Sequence, residues 1–235
     1  MSELLKTTGL YGGYKEGVDI LQGIDLTIQE GQSIGIIGLN GSGKSTLGKA
    51  IMNMIPIRRG KIEFNGEDVT DLPTHQLARK GISIMQQGGQ VFLTMSVWEN
   101  LELAFGPDSN CEFDRIKDII PLLQRPKKEL QRQMADKLSG GQKHQLALAM
   151  ALASNPRLVI LDEPSAGLSP KAVEDMYSIL RAVREQMQVT IVLIEQNIAK
   201  AVDFCDKSYI LQQGIIIQSV LKLDYQTVEK VMFNK

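Results

Sequence analysis

Cysteine, histidine and aromatic residues are all scarce in this chain. Its 235 residues include two cysteines and two histidines, and only 5% are aromatic. Cys111 and Cys205 lie far apart and away from any histidine cluster, which excludes a disulfide framework and a zinc spacing. With His75 and His144 alone, a metal site built on three histidines of one chain is excluded too. Long apolar runs are also missing. Runs such as Leu158 to Leu161 and Ile191 to Ile194 are strand-sized, and none approaches the ~18 or more residues a membrane span needs. The opening residues, Met1 to Lys6, lack the apolar stretch of a signal peptide. Neither charge sign is in excess: 26 Lys and Arg face 27 Asp and Glu, for a net charge of -1. A dedicated nucleic-acid binder carries a basic excess, so that class is disfavoured. The expectation is a reduced, intracellular, soluble chain whose membrane role, if it has one, comes through a partner.

What is present points to a globular α/β protein. The chain is 43% hydrophobic and 23% charged, an ordinary globular balance. At ~100–200 residues per domain, the length fits one domain carrying an insertion. No repeat of ~20–50 residues is visible. Short β-branched runs alternate with helix-length amphipathic segments, the pattern of a layered α/β fold. Ser33 to Gly38 reads as a buried strand, followed by a glycine-rich turn and a helix from Lys44 to about Met54. Thr74 to Lys80 reads as a short helix leading into a strand at Ile82 to Met85. From Ser96 to Lys137 the patterning is helical, with no convincing strand, as in a small helical insertion. Strands resume at Leu158 to Leu161 and Thr190 to Ile194, with a long helix from Lys171 to Gln186 behind a Ser169 cap and Pro170. Ser208 to Leu221 reads as two short strands around Gly214, and Asp224 to Met232 as a closing helix.

Three motifs carry chemistry. Gly38-Leu39-Asn40-Gly41-Ser42-Gly43-Lys44-Ser45 has phosphate-loop spacing, after a strand and at the start of a helix. Its glycines let backbone N–H groups wrap a phosphate, and the helix start adds its positive end. Lys44 supplies charge for the β- and γ-phosphates, and the Ser45 hydroxyl is a Mg²⁺ ligand of the right kind. Leu158-Val159-Ile160-Leu161-Asp162-Glu163 is a buried strand ending in two carboxylates. Asp162 suits the magnesium shell, and Glu163 suits a general base acting on water. Leu138-Ser139-Gly140-Gly141-Gln142 forms a second anion nest at a helix start. One nucleotide does not need two nests. The economical reading is that the second faces the γ-phosphate of ATP held by another subunit.

In order and spacing these motifs resemble the ATP-binding-cassette (ABC) ATPases over nearly the whole chain. The resemblance implies a P-loop NTPase (RecA-like) core with an antiparallel β portion near the N-terminus and a helical subdomain. Within a single domain spanning 1–235, the core covers 1–87 and 141–235, and the helical subdomain covers 88–140. It implies ATP and Mg²⁺ as ligands. Nucleotide contacts fall on Gly38, Asn40, Gly41, Ser42, Gly43, Lys44, Ser45 and Thr46. Tyr14 matches the adenine-stacking aromatic, with Tyr11 as the other candidate. Ser45, Asp162 and the loop glutamine Gln87 fall around the metal, with the adjacent Gln86 as the alternative one residue away. Ser139, Gly140, Gly141 and Gln142 form the signature that meets the partner's ATP. Glu163 and Gln196 fall at the hydrolytic centre.

Two positions depart from the common family pattern: Gln196 replaces the switch histidine, and Ser169 replaces an aspartate. An amide at Gln196 still donates a hydrogen bond but cannot become cationic. Glu195-Gln196-Asn197 together with Glu163-Pro164-Ser165-Ala166-Gly167-Leu168-Ser169-Pro170 resembles the ATPase subunits of bacterial branched-chain amino-acid and urea importers. That implies a second ABC subunit, the same or homologous, polytopic membrane permease subunits and an extracytoplasmic solute-binding protein, with no nucleic acid. The chain would sit in the cytoplasm, attached to the inner membrane face through its permease. The rivals are a soluble ABC-type ATPase of repair or translation, and a nucleotide-gated scaffold. Elsewhere the bland readings stand: methionines such as Met52, Met54, Met150 and Met187 as core filler, the Arg125, Lys127, Lys128 and Arg132 cluster as a solvated face, and His144 as a helix-surface residue.

Overall fold

The computed structural model describes residues 2–106 and 109–221. The helix expected at Asp224 to Met232 lies outside the described residues, as does Met1. Strands β1 (Glu3–Gly13), β2 (Leu21–Gln29), β4 (Ile57–Phe64) and β5 (Glu67–Asp68) form an antiparallel sheet in the order β2-β1-β4-β5. This is the expected antiparallel portion.

A second sheet has the order β10-β9-β3-β8-β7-β6. Its members are β3 (Ser33–Ile37), β6 (Ile82–Met85), β7 (Leu158–Asp162), β8 (Thr190–Glu195), β9 (Lys207–Gln212) and β10 (Ile215–Leu221). β6 to β9 and β3 run parallel, and β10 closes the edge antiparallel to β9. The parallel strands are short and apolar because both faces are covered. Along β7 and β8, Val159, Leu161, Ile191 and Leu193 point into one apolar cluster, and Leu158, Ile160, Val192 and Ile194 into the other. The second cluster includes Leu47 and Ile51 of helix α1 (Lys44–Ile51) and the inner residues of the antiparallel sheet.

Between β6 and β7 the described residues form helices, with one isolated bridge pairing Ser96 and Met134. They are α3 (Val97–Phe105), α4 (Ser109–Ile116), α5 (Lys127–Arg132) and α6 (Gly140–Leu152), with short 3-10 turns at Pro121–Gln124 and Ala135–Lys137. Helix α2 (Thr74–Arg79) precedes β6. Ser96 and Glu99 cap α3 reciprocally. Buried Asn100 donates to the Phe92 carbonyl at 3.0 Å and accepts from the Phe92 amide at 2.8 Å. This fastens the segment after β6 to the helices. Lys127 covers the Trp98 ring at 3.9 Å, and Arg125 bonds Gln133 at 2.6 Å, so part of the basic cluster packs along α3 and α5.

Register decides where the site falls. β8 lies between β3 and β7, with Ile37 opposite Glu195 and Asp162 opposite Ile194. Met85 at the end of β6 lies opposite Leu161. Four neighbouring strands therefore end at one level, and the loops that follow each converge there. The β9–β10 turn borders the same place. Gly214 has φ +78°, and a Cβ on it would lie 1.9 Å from the Ile20 carbonyl, so only glycine fits. Its N–H donates to the Ser42 carbonyl of the glycine-rich loop at 2.9 Å.

Candidate nucleotide site

The loop from Gly38 to Gly43 joins β3 to α1. Gly43 caps α1 at φ +101° and carries no side chain to cap it, so the first-turn amides face the loop's hollow. Lys44 is buried; its Nζ donates to the Gly38 carbonyl at 2.9 Å and the Leu39 carbonyl at 3.1 Å. Burial pushes the Lys44 ammonium below the usual lysine value, while the Glu163, Asp162 and Glu195 carboxylates pull it back up.

A hollow of about 450 Å³ opens over this loop. Asn40, Gly41, Gly43, Lys44, Ser45 and Thr46 line one side, and Gln87, Glu163 and Gln196 the other. Glu163 is buried at φ +48°, a strained position for a side-chain-bearing residue, where its N–H extends the β7–β8 ladder to the Ile194 carbonyl at 2.9 Å. Its carboxylate accepts from Gln87 Nε2 at 2.7 Å and from Gln196 Nε2. Both oxygens of the candidate base are thus held by neutral amides from neighbouring strand ends.

Asp162 lies behind Ser45, accepting from its hydroxyl at 2.8 Å. A hydroxyl and one carboxylate fit Mg²⁺, which is usually held by one or two carboxylates plus substrate phosphates rather than by an all-protein cage. Among the described residues no cluster of three or more His, Cys, Asp or Glu forms such a cage. Gln87 reaches Glu163 rather than the Ser45–Asp162 pair. Burial pushes the Asp162 carboxyl above its ordinary 3.8, against the opposing Ser45 hydrogen bond. An acid whose folded-state value is raised stabilises the fold fully below 3.8 and loses that stability as pH rises through the folded value. Asp162→Asn, which keeps an acceptor for Ser45, is therefore expected to raise the melting temperature of the nucleotide-free protein at pH 7. Melting curves at pH 7 and near pH 4 check this: the gap should narrow at the lower pH. An equal or lower melting temperature at pH 7 refutes the burial argument.

The signature residues lie elsewhere. Ser139 caps α6: its Oγ accepts from the Gln142 amide at 3.3 Å, and Gln142 Oε1 accepts from the Ser139 amide at 3.0 Å. Ser139, Gly140, Gly141 and Gln142 line a separate hollow of about 430 Å³ with Gly167, Leu168 and Ser169. The two hollows share no lining residue. Ser169 caps helix α7 (Pro170–Met187), its Oγ accepting from Ala172 at 3.4 Å, which is the role a serine or an aspartate serves at that position.

Several placements differ from expectation or were not foreseen. Tyr14 is 46% exposed and does not line the nucleotide hollow, where Ile20 stands instead. Tyr11 is engaged by Arg59, whose guanidinium lies 5.3 Å from its ring centre. Of the two adjacent glutamines, Gln87 lines the hollow, whereas Gln86 lines another groove with Met85 and Ala147. Gly38 is buried behind the loop, and Ser42 is buried with its hydroxyl unpaired. His144 is a correction. It is buried, with Nδ1 2.9 Å from the Gly140 carbonyl and its ring against Gly89. Helix α6 is covered on more than one face, so helical periodicity alone does not mark His144 as interior. Met52 is core, but Met54 is 38% exposed.

The profile of the ABC transporter family matches residues 21–166. The "Probable branched-chain amino acid transport ATP-binding protein LivF" of Archaeoglobus fulgidus is 36% identical over 212 residues, 90% of this chain and 89% of that protein. The high-affinity branched-chain amino acid transport ATP-binding protein BraG of Pseudomonas aeruginosa is 33% identical, covering 87% of each. The lipopolysaccharide export system ATP-binding protein LptB of Escherichia coli is 31% identical over 91% of this chain and 88% of that protein. Among solved structures, the ADP conformation of MJ1267, an ATP-binding cassette of an ABC transporter, superposes with a TM-score of 0.82 at 26% identity. It covers 99% of this chain and 95% of that one. With the phosphate loop, the carboxylate pair and the signature nest on one α/β scaffold, this chain belongs to the ABC transporter family as an ATP-binding, ATP-hydrolysing subunit.

Proposed function

We propose that this chain powers a membrane importer of branched-chain amino acids or related small polar solutes. One observation carries the mechanism: two anion nests on one chain line hollows that share no residue. In a head-to-tail pair, Ser139 and Gly141 of one subunit close over ATP held by Lys44 and Ser45 of the other. Ser45 and Asp162 would hold Mg²⁺, which when bound would supply charge neutralisation for the phosphates, and Gln87 would reach the metal from its place against Glu163. Glu163 takes a proton from the attacking water, and Gln196 orients the carboxylate and donates to the γ-phosphate. Loss of the γ-phosphate removes the group that bridges the pair, and opening follows. Tyr14 supplies the adenine contact in the closed state. The core, 1–87 and 141–235, houses this chemistry, and residues 88–140 form the helical unit facing the permease. The LivF and BraG relatives, named for branched-chain amino acid transport, support amino acids as the cargo.

No described helix is long and apolar enough to cross a membrane, so attachment would come through permease subunits at the inner membrane face. Purifying the tagged protein from its own cells in mild detergent tests the assignment. Two polytopic membrane proteins, a second cassette and a solute-binding protein are the expected companions. Recovery with lipid-export components overturns import, a prospect the LptB relative makes specific. Recovery with soluble nucleic-acid-bound partners alone overturns transport.

A further inference from the structure

Glu195 is 3% exposed at the end of β8, and its carboxylate is fully engaged by four neutral donors. One oxygen accepts from the Ser165 hydroxyl at 2.6 Å and the Tyr177 hydroxyl at 3.2 Å. The other accepts from the backbone amides of Gln196 at 3.1 Å and Asn197 at 3.3 Å. A buried carboxylate that makes no direct ion pair among the described residues is costly, and a well-packed apolar residue is often no less stable. Its placement has a specific consequence. Ser165 lies in the loop after β7, whose next residues Gly167, Leu168 and Ser169 line the signature-side hollow. Gln196 lies in the loop after β8, and its side chain reaches Glu163. One buried group fastens both loops.

We propose that Glu195 is a positioning residue for hydrolysis: it sets Gln196 against Glu163 and ties that setting to the 165–169 loop beside the signature. Closure over the signature-side hollow then reaches the candidate base through Ser165, Glu195 and Gln196 in turn. Burial and the neighbouring carboxylate push the Tyr177 phenol far above its ordinary range, so it remains a neutral partner in this arrangement. The inference rests on the proposed pairing of Gln196 with Glu163.

Hydroxyls can reverse roles, whereas backbone amides cannot. A glutamine can therefore keep its oxygen on the two amides and turn its nitrogen to Ser165 and Tyr177, but a leucine cannot hold either loop. Steady-state ATPase assays on Glu195→Leu are expected to show kcat down at least tenfold, with KM for ATP within about threefold. Glu195→Gln should recover most of the loss. In a Gln196→Ala background, the Glu195→Leu effect should shrink below about twofold, because both changes disable one unit. A general packing defect would instead multiply in both backgrounds, and that result overturns the proposal. So does a folded Glu195→Leu protein with kcat within twofold of the parent. If Glu195→Leu does not fold, Ser165→Ala tests the same tie: a several-fold fall in kcat that vanishes in the Gln196→Ala background is expected, and an additive or absent effect refutes it. Gln196→Ala with unchanged kcat removes the underlying pairing and this inference with it. A Gln196→Ala loss that combines additively with Glu195→Leu removes this inference alone.

Discussion

Glu163→Gln is expected to lower ATP turnover about 10²–10⁴-fold, the range for losing a general base, while ATP affinity stays within a few-fold of the parent. The pocket should survive the change. Glu163 holds its φ of +48° through the N–H bond to the Ile194 carbonyl at 2.9 Å, and glutamine presents the same Cβ to that backbone. Its side-chain oxygens accept from Gln87 and Gln196, both amides. A glutamine puts an NH₂ opposite one of them, and that neighbour satisfies it by turning its own amide to offer oxygen. Shape is kept and the proton acceptor is lost. Removing a carboxylate beside the phosphates also removes repulsion, so binding should not weaken. In a head-to-tail pair, the unhydrolysed ATP should hold two subunits together. Single-turnover hydrolysis, together with size-exclusion chromatography in ATP, checks both parts. Turnover near the parental rate would show that another group activates the water. Turnover lost without an ATP-dependent dimer would separate the base assignment from the pairing.

The parts of this site legible in the sequence are those whose geometry is local. A glycine-rich turn between a strand and a helix must place Lys44 and Ser45 at the helix start. A run ending in Asp162-Glu163 must leave both at a strand end. Ser139 and Ser169 announce helix caps through their own spacing, and both cap helices here. What was not legible depends on which distant segments pack together. Nothing in the residues around Ile20 places it at the nucleotide hollow; the distant β9–β10 turn packs against this segment, its Gly214 carbonyl accepting from the Gln22 amide at 2.8 Å. His144 reads as a surface residue until the loop holding Gly89 lies over its helix. Glu195 gives no local hint either, because its side-chain partners Ser165 and Tyr177 are 30 and 18 residues away. The strand order that seats β8 between β3 and β7 is likewise a product of register; the family resemblance puts Gln196 with Glu163 at the hydrolytic centre, and the register is what brings the two side chains into contact. The runs of β4 and β5 lack strong patterning, so the sequence marks only an antiparallel portion there.

Lys44→Ala is expected to abolish nucleotide binding at working concentrations with little effect on the nucleotide-free fold. Two effects oppose each other in the empty protein. The mutation removes donors from the Gly38 and Leu39 carbonyls, a loss of ~0.5–1.5 kcal/mol for each hydrogen bond. It also removes a buried ammonium whose charge is disfavoured where it sits, which returns stability. A net change within about 1 kcal/mol would move the melting temperature by only about 2–4 °C in a domain of this size. With nucleotide the balance is one-sided. Truncating one partner of a buried, hydrogen-bonded charge pair costs ~2–5 kcal/mol or more, which is roughly 30- to 5,000-fold in affinity. At ATP about 100 times the parental Kd, binding should stabilise the parent by ~2.7 kcal/mol, a rise of roughly 5–11 °C in melting temperature. A Kd raised 100-fold leaves at most ~0.4 kcal/mol at the same ATP concentration, a rise of about 1–2 °C. Melting curves of both proteins with and without ATP therefore separate the two roles of Lys44. A variant that melts far below the parent without ATP would make Lys44 chiefly a structural strut of the loop. One that keeps the full ATP-induced rise would show that the phosphates are held by the loop amides alone.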